Sequence, residues 1–220
     1  MSSKTEDSIK IRTMTVEDFK EVKSFLREHM YTGEPLSMSS NEDVEKCDEK
    51  NTDEYNLKLI KQGTSLVAVE PSGRIVGLVL AGASYPSDLE SNRVDAENMG
   101  QHFWGRLNRF LSKVEREANV FERYGVSKAI YSHITNVDSS MRGKGLGSRL
   151  ATALMDLGRA KGFPLMIAYC TSFYSARQKE ALGMEVAYSF RYADYKDEEG
   201  RVIFHPPAPH NEVRVMAMRL

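Results

Sequence analysis

The chain has few cysteines, no long apolar run and no surplus of charge. Cys47 and Cys170 are the only two cysteines among 220 residues. They are too few for a disulfide scaffold and too far apart in sequence for a CxxC site. No stretch reaches the roughly 20 apolar residues of a membrane-spanning helix, and charges interrupt the opening MSSKTEDSIKIR where a signal peptide needs its apolar run. We therefore expect a reduced, cytoplasmic protein with no membrane partner.

Charge and composition exclude further classes. Thirty basic and thirty-one acidic residues give a net charge of −1, which argues against a protein that coats nucleic acid or an anionic surface. The five histidines show no H-x-x-x-H spacing, so we expect no metal. With 41% hydrophobic and 28% charged residues and no repeat or linker, the sequence predicts a single globular domain over 1–220, a disordered tail at 1–8, and a monomer.

Hydrophobic periodicity predicts mixed strands and helices along the whole length, an α/β (α+β) class. Predicted strands cover 9–14, 66–69, 74–80, 127–136, 164–169, 184–192, 201–204 and 212–220. Predicted helices cover 16–31, 52–62, 97–121, 147–161 and 174–182.

A glycine-rich loop joins the predicted strand 127–136 to the next helix. Gly143, Gly145 and Gly147 leave the backbone free to expose its N–H groups at a helix N-terminus, where an anion such as phosphate binds. Arg142 and Lys144 add positive charge. The spacing fits neither a P-loop nor a dinucleotide fingerprint. A tight turn without a ligand is the alternative.

The run Arg142-Gly-Lys-Gly145-Leu-Gly147 resembles the Q/R-x-x-G-x-G/A motif of the Gcn5-related N-acetyltransferase superfamily. The resemblance covers about residues 9–220 and implies a mixed sheet of about seven strands, flanked by helices and splayed between its two central parallel strands. It also implies acetyl-CoA as co-substrate, held by the loop amides and the preceding strand. The residues implied in coenzyme binding are Asn136, Val137, Asp138, Arg142, Gly143, Lys144, Gly145, Leu146, Gly147, Ser148 and Ser172.

A narrower resemblance concerns Glu34-Pro35-Leu36, which is similar to the Glu-Pro-Leu signature of insect arylalkylamine N-acetyltransferases. It implies that an amine and acetyl-CoA bind together and that the amine attacks the thioester directly. Glu34 would take the proton of the ammonium group as general base, and Pro35 would line the amine pocket. Without the motif, Glu34 is an ordinary exposed turn carboxylate.

The departing thiolate needs a proton or a hydrogen bond, and many members of the superfamily supply it from a tyrosine whose position here is Lys179. We therefore assign Ser172 and Ser175 as organisers of water or of the thiolate, and Ser172 also to substrate. Either serine could instead be a helix cap. Cys170 is interpreted as a buried filler rather than an acyl nucleophile. His205, with His210 beside it, is the candidate histidine for substrate contact.

Two charged segments suggest where the substrates enter. Residues 41–54 carry seven acids and two lysines, a local charge of −5, and residues 141–162 carry five bases and one acid, +4. An acidic rim would attract cations and a basic loop the coenzyme's phosphates; both segments could equally be solvated helix faces. The expected substrate is a small cationic primary amine, either an arylalkylamine or agmatine or a polyamine. A protein acetyltransferase and a non-catalytic acyl-CoA-binding module are the alternatives.

Overall fold

The computed structural model describes residues 8–31, 33–40, 42–44, 46 and 48–220. The predicted tail 1–8 lies outside the described residues except for Ser8. Three members of the acidic segment, Asn41, Glu45 and Cys47, also lie outside them.

A seven-stranded mixed sheet organises the described chain. Its strands are β1 (Lys10–Thr13), β2 (Leu66–Val69), β3 (Ile75–Ser84), β4 (Ala129–Val137), β5 (Leu165–Cys170), β6 (Glu185–Arg191) and β7 (Glu212–Arg219). The spatial order is β1-β2-β3-β4-β5-β7-β6. Every neighbouring pair is antiparallel except β4 and β5, which run parallel. The predicted fold class is confirmed.

Helices cover both faces of this sheet. They are α1 (Phe19–His29), α2 (Glu49–Lys61), α3 (Asp88–Asn98), α4 (Phe103–Ala118), α5 (Val120–Tyr124), α6 (Leu146–Ala160) and α7 (Phe173–Ala181). Alternate residues of β5 show the two layers. Met166 and Ala168 pack with the apolar side chains of α6, whereas Leu165 and Ile167 pack with those of α4.

The two central parallel strands separate after a short contact. β4 and β5 pair only at Ile130 with Met166 and at Tyr131 with Ile167, although β4 continues along β3 to Val137. A register shift against β3 leaves His133 as an extra residue in β4, and such bulges bend a strand. The sheet therefore opens between β4 and β5 beyond Tyr131.

Two predicted elements are wrong. The predicted helix 97–121 is divided among three helices. The second of the two breaks lies at Asn119, which takes a left-handed conformation (φ 35°) between α4 and α5. Few residues other than asparagine and glycine adopt that conformation readily. α3 is poor in apolar residues and buries only Ala96, so it has no helical periodicity to detect. The predicted strand 201–204 is reduced to a single bridge between Lys196 and Val202.

Candidate active site

Glu34 lies in a tight turn that follows α1. The backbone N–H of Glu34 donates to the carbonyl of Met30 at 2.9 Å, and Ser37 Oγ donates to the carbonyl of Glu34 at 2.8 Å. Pro35 and Leu36 are buried beneath the turn. Because the turn is anchored by these bonds and by its apolar side, the carboxyl group of Glu34 has a fixed direction.

The carboxyl of Glu34 faces the end of β5. Its Oε1 accepts a hydrogen bond from Thr171 Oγ1 at 2.8 Å, and its Oε2 accepts one from the backbone N–H of Ser37 at 2.7 Å. Tyr192 Oη donates to the carbonyl of Thr171 at 2.7 Å and so fixes the strand end. Burial raises the pKa of Glu34, although the hydrogen bonds from Ser37 and Thr171 oppose the rise. A carboxyl with a raised pKa and a remaining acceptor position is suited to take up a proton.

On the opposite face of β5, three polar side chains form a chain between the strand and α7. Lys179 Nζ donates to Ser175 Oγ at 3.2 Å, and Ser175 Oγ donates to Cys170 Sγ at 3.5 Å. Lys179 is only 2% exposed. Because an ammonium group has hydrogens but no acceptor, Ser175 must accept from Lys179, and its own hydrogen is directed towards sulfur.

The glycine-rich loop has the geometry of an anion site. Gly143 and Gly145 have φ of 75° and 76°, which glycine adopts without steric cost, and α6 begins directly after Gly145. The backbone N–H groups of residues 143–148 donate to no acceptor among the described residues. Arg142 and Lys144 are exposed beside them. Free N–H groups at the start of a long helix attract phosphate oxygens.

The edge of β4 that faces the opening supplies further free groups. Residues after Tyr131 have no strand partner on the β5 side. Asn136 donates through Nδ2 to the carbonyl of His29 at 3.2 Å, but its Oδ1 is buried without a hydrogen-bond partner. An orphaned buried acceptor beside an open strand edge fits a ligand that carries amide N–H groups. The pantetheine arm of coenzyme A is such a ligand.

The comparisons with known proteins agree with this geometry. The model of the family described as Acetyltransferase (GNAT) family matches residues 28–179, a range that holds the Glu34 turn, the opening and the glycine-rich loop. The chain belongs to the GNAT acetyltransferase family. It is an amine N-acetyltransferase by its family and by its structural neighbours, and acetyl-CoA is its co-substrate.

Three solved structures show what this GNAT domain resembles. A mosquito arylalkylamine N-acetyltransferase-like 5b is 30% identical, with a TM-score of 0.88 over 97% of this chain and 100% of that one. An agmatine N-acetyltransferase variant is 32% identical, with a TM-score of 0.90 over 97% and 100%. A Drosophila melanogaster polyamine N-acetyltransferase that forms N-acetylagmatine is 32% identical, with a TM-score of 0.88 over 96% and 100%.

Some residues assigned to the coenzyme have internal roles in this GNAT domain. Asp138 accepts from Arg74 at 2.7 Å and from the N–H and hydroxyl of Ser140, each at 2.8 Å. Burial alone would raise the pKa of Asp138, but the bonds from Ser140 and Arg74 outweigh it and lower that pKa. Its carboxylate therefore anchors the start of the loop, and its backbone N–H and carbonyl are bonded to Val76 and Met141, so Asp138 has a structural role here. Val137, Leu146, Gly147 and Ser148 lie where the motif places them, at the end of β4 and in the first turn of α6.

The remaining predicted residues differ in how close they lie to the end of β5. Ser172 is the residue before α7, but its hydroxyl makes no capping bond. His205 is exposed, and its Nε2 lies 3.0 Å from the carbonyl of Val202 within its own loop. His210 lies closer to the site, because its Nδ1 accepts the N–H of Phe173 at 3.1 Å. The structure therefore brings His210, rather than His205, to the end of β5.

Sequence reasoning missed two groups at the site. The first is Thr171, to which the sequence assigns no role and whose contact with Glu34 joins positions 137 residues apart. The second group is an aromatic lining on the α2 and α4 side of the opening, formed by Tyr131, His133 and Tyr169. Water reaches part of each of these side chains, yet burial raises the pKa of both tyrosines and lowers that of His133 to about 4. Because these three side chains are partly exposed and yet strongly desolvated, we interpret them as the lining of a deep cleft.

Several acids of the segment 41–54 form ion pairs with basic side chains from other parts of the protein. Glu42 pairs with Arg106, and Glu49 and Asp53 both pair with Lys23. Among the described residues, no cluster of three His, Cys, Asp or Glu side chains is arranged to hold a metal. No helix in the described part of the chain combines the length and apolarity needed to span a membrane.

Proposed function

We propose that this GNAT domain transfers the acetyl group of acetyl-CoA to a small cationic primary amine, by direct attack of the amine in a ternary complex. The observation that carries the proposal is the carboxyl of Glu34, held by Thr171 and Ser37 at the opening of the sheet. The family and the three similar structures support the class of acceptor.

The coenzyme and the amine would enter from different directions. The free N–H groups of residues 143–148, with Arg142 and Lys144, would hold the pyrophosphate. The open edge of β4 and Asn136 Oδ1 would hold the pantetheine arm. When bound, acetyl-CoA supplies a thioester whose carbonyl carbon is the electrophile. The open strands β4 and β5 would then give the amine access to that carbon from the side of Glu34.

Glu34 would act as the general base. An amine with an ordinary pKa arrives protonated and cannot attack until it loses a proton. Transfer of that proton to Glu34 leaves the nitrogen lone pair free to form the N–C bond. As the C–S bond breaks, the nitrogen gives up a second proton, which the departing thiolate takes up, so that coenzyme A leaves as the thiol. Because burial raises the pKa of Glu34, the carboxyl is a stronger base than an exposed one. Its protonated form is also less costly to form in the cleft.

Ser175 would serve the departing sulfur. Lys179 occupies one lone pair of the serine oxygen, so the serine hydrogen is available to a sulfur atom, and it meets Cys170 Sγ in this structure. A hydrogen bond to a thiolate is charge-assisted and stronger than one to a neutral thiol. Ser175 would therefore stabilise the leaving group, and Lys179 would position Ser175.

The test is turnover of acetyl-CoA with agmatine, putrescine and tyramine, followed by thiol release and by mass analysis of the product. We expect an N-acetylated amine from the wild-type protein, and a kcat for Glu34→Gln lower by about 100-fold or more, the size of a general-base contribution. Glu198→Gln, which changes an exposed carboxylate without a partner near the site, should keep the wild-type rate. Normal turnover by Glu34→Gln would remove Glu34 as base, and the absence of product with all three amines would refute the proposed acceptor class.

A further inference from the structure

A second buried carboxyl lies on α4, the helix whose apolar residues pack with Tyr131 and Tyr169, and the chemistry above does not use it. Glu115 on α4 is 8% exposed, and its Oε2 accepts a hydrogen bond from Asn92 Nδ2 of α3 at 2.9 Å. Its Oε1 accepts no hydrogen bond from any described residue, and no described lysine or arginine forms an ion pair with it. Burial raises the pKa of Glu115 to about 7; the hydrogen bond from Asn92 opposes the rise, the charge of Asp88 adds to it, and the charge of Arg116 opposes it. In the part of the chain that the structure describes, this carboxylate therefore has no ion-pair partner and feels only the positive charge of Arg116 on its own helix.

Three tyrosines lie near enough to Glu115 to be affected by its negative charge. Burial raises the pKa of Tyr55 to about 12, and it also raises those of Tyr131 and Tyr169; the negative charge of Glu115 contributes in all three cases. The ring centroids of Tyr131 and Tyr169 are 5.1 Å apart, and those of Tyr55 and His133 are 5.0 Å apart. Aromatic faces attract cations, most strongly where water is excluded. With a pKa of about 4, His133 is neutral at pH 7 and supplies no counter-charge.

The aromatic group and Glu34 meet at the end of β5. Tyr169 belongs to β5 and Thr171 follows its last residue, so their Cα atoms are about 7 Å apart. Thr171 contacts Glu34, and Tyr169 contacts Tyr131. An extended ligand with its reactive nitrogen at Glu34 would therefore place its far end among the tyrosines, within reach of Glu115.

We propose that Glu115 and the tyrosines around it bind a second cationic group at the far end of the amine. The enzyme would then prefer agmatine and diamines to arylalkylamines. This inference rests on the proposed function and names the substrate class for that site.

The charge of Glu115 decides between the two kinds of amine. The ring of an arylalkylamine could stack on the tyrosines, but it would leave the carboxylate without a positive partner in a desolvated place. A guanidinium or ammonium group brings both the missing charge and hydrogen donors for Oε1. Because a carboxylate lies behind the aromatic lining, the lining favours an amine that carries a second positive charge.

The experiment compares kcat/KM for agmatine, putrescine and tyramine in the wild-type protein and in Glu115→Gln. We expect the ratio of agmatine to tyramine to fall by about tenfold or more in the variant, since a hydrogen bond to a charged group is lost. Glu117→Gln is the matched control, because Glu117 lies on the same helix but bonds to Lys113 and Tyr188. This control should leave the ratio unchanged.

A second variant and a binding measurement keep the inference separate from the reaction. Tyr55→Leu alters a side chain that is 41% exposed on α2, which the fold should tolerate, and it should lower the same ratio. The thermal midpoint with coenzyme A present should rise on adding agmatine, and rise less for Glu115→Gln. An equal loss of kcat/KM for agmatine and for tyramine in Glu115→Gln would overturn the inference. Agmatine binding that depends on Glu115 without turnover would instead contradict the proposed function alone.

Discussion

The two ends of the opening between β4 and β5 are built from different parts of the protein. The end that we propose for the coenzyme consists of backbone N–H groups in one short loop, with exposed Arg142 and Lys144 beside them. The end that we propose for the amine consists of side chains such as Glu34 and Glu115, whose pKa values are raised by burial. A loop of backbone donors suits a phosphate that every acyl-CoA carries, whereas desolvated side chains can discriminate among amines. In this proposal the backbone binds the common coenzyme and the side chains select the amine.

The largest effect that separates the two ends is expected from Gly145→Ala. A side chain at φ 76° is strained, so the loop should change shape and the KM for acetyl-CoA should rise by about tenfold, the equivalent of about 1.4 kcal/mol. The KM for the amine should not change. Initial rates with each substrate varied in turn measure both values.

Gly200→Ala supplies the control for that experiment. Gly200 has φ 79° and, like Gly145, no atom near the position of an added Cβ, but it lies in the turn after Asp197. It should cost similar stability and leave the KM for acetyl-CoA unchanged. Equal effects of the two substitutions on that KM would contradict the assignment of the loop.

An intermediate effect is expected from Thr171→Val, which keeps the shape of the side chain and removes the hydrogen bond to Glu34. That bond lowers the pKa of Glu34 against the effect of burial, so its loss should raise the pKa further. Because the base works only when deprotonated, the rising limb of kcat against pH should move to higher pH. At pH 7 the rate should fall by about three- to tenfold.

The pH profile distinguishes this role from a packing defect. A destabilised strand end would lower the rate at every pH without displacing the limb. An undisplaced limb in Thr171→Val would show that this contact does not tune the base.

The smallest effect is expected from Lys179→Met, measured together with Ser175→Ala and the double variant. If Lys179 acts through Ser175, its loss should lower kcat about fivefold in the wild-type background and have no effect once Ser175 is alanine. The KM for acetyl-CoA should stay the same in all three variants. Additive losses in the double variant would show that the two residues act separately.

The loop was predictable from sequence because its function depends on a few consecutive residues. Glycines at 143, 145 and 147 with flanking positive charge indicate exposed N–H groups, and this signal does not depend on contacts with distant parts of the chain. The sheet was predictable for a similar reason, since apolar strands such as Leu165–Cys170 show their burial directly. The fold class was predicted from such local patterns, whereas the family and acetyl-CoA as co-substrate were implied by the resemblance of residues 142–147 to the GNAT motif; all three are confirmed.

The amine end was only partly predictable because it is assembled from distant parts of the chain. Glu34 was identified through a resemblance, but its contact with Thr171 depends on how the turn after α1 meets the end of β5. Glu115 belongs to an amphipathic helix whose other buried residues are mostly apolar, so no local signal distinguishes it. The prediction of an acidic rim at 41–54 counted charges without their partners, and Lys23 and Arg106 neutralise several of them.

The most direct test of the account is the affinity of a bisubstrate analogue, with the sulfur of coenzyme A joined through an acetyl linker to the primary amine of agmatine. Because the two proposed binding ends share one opening, the analogue should bind with a Kd at least about tenfold lower than that of coenzyme A. That gain should shrink in Glu115→Gln but not in Glu117→Gln. A Kd equal to that of coenzyme A alone would contradict the claim that the two substrates meet between β4 and β5.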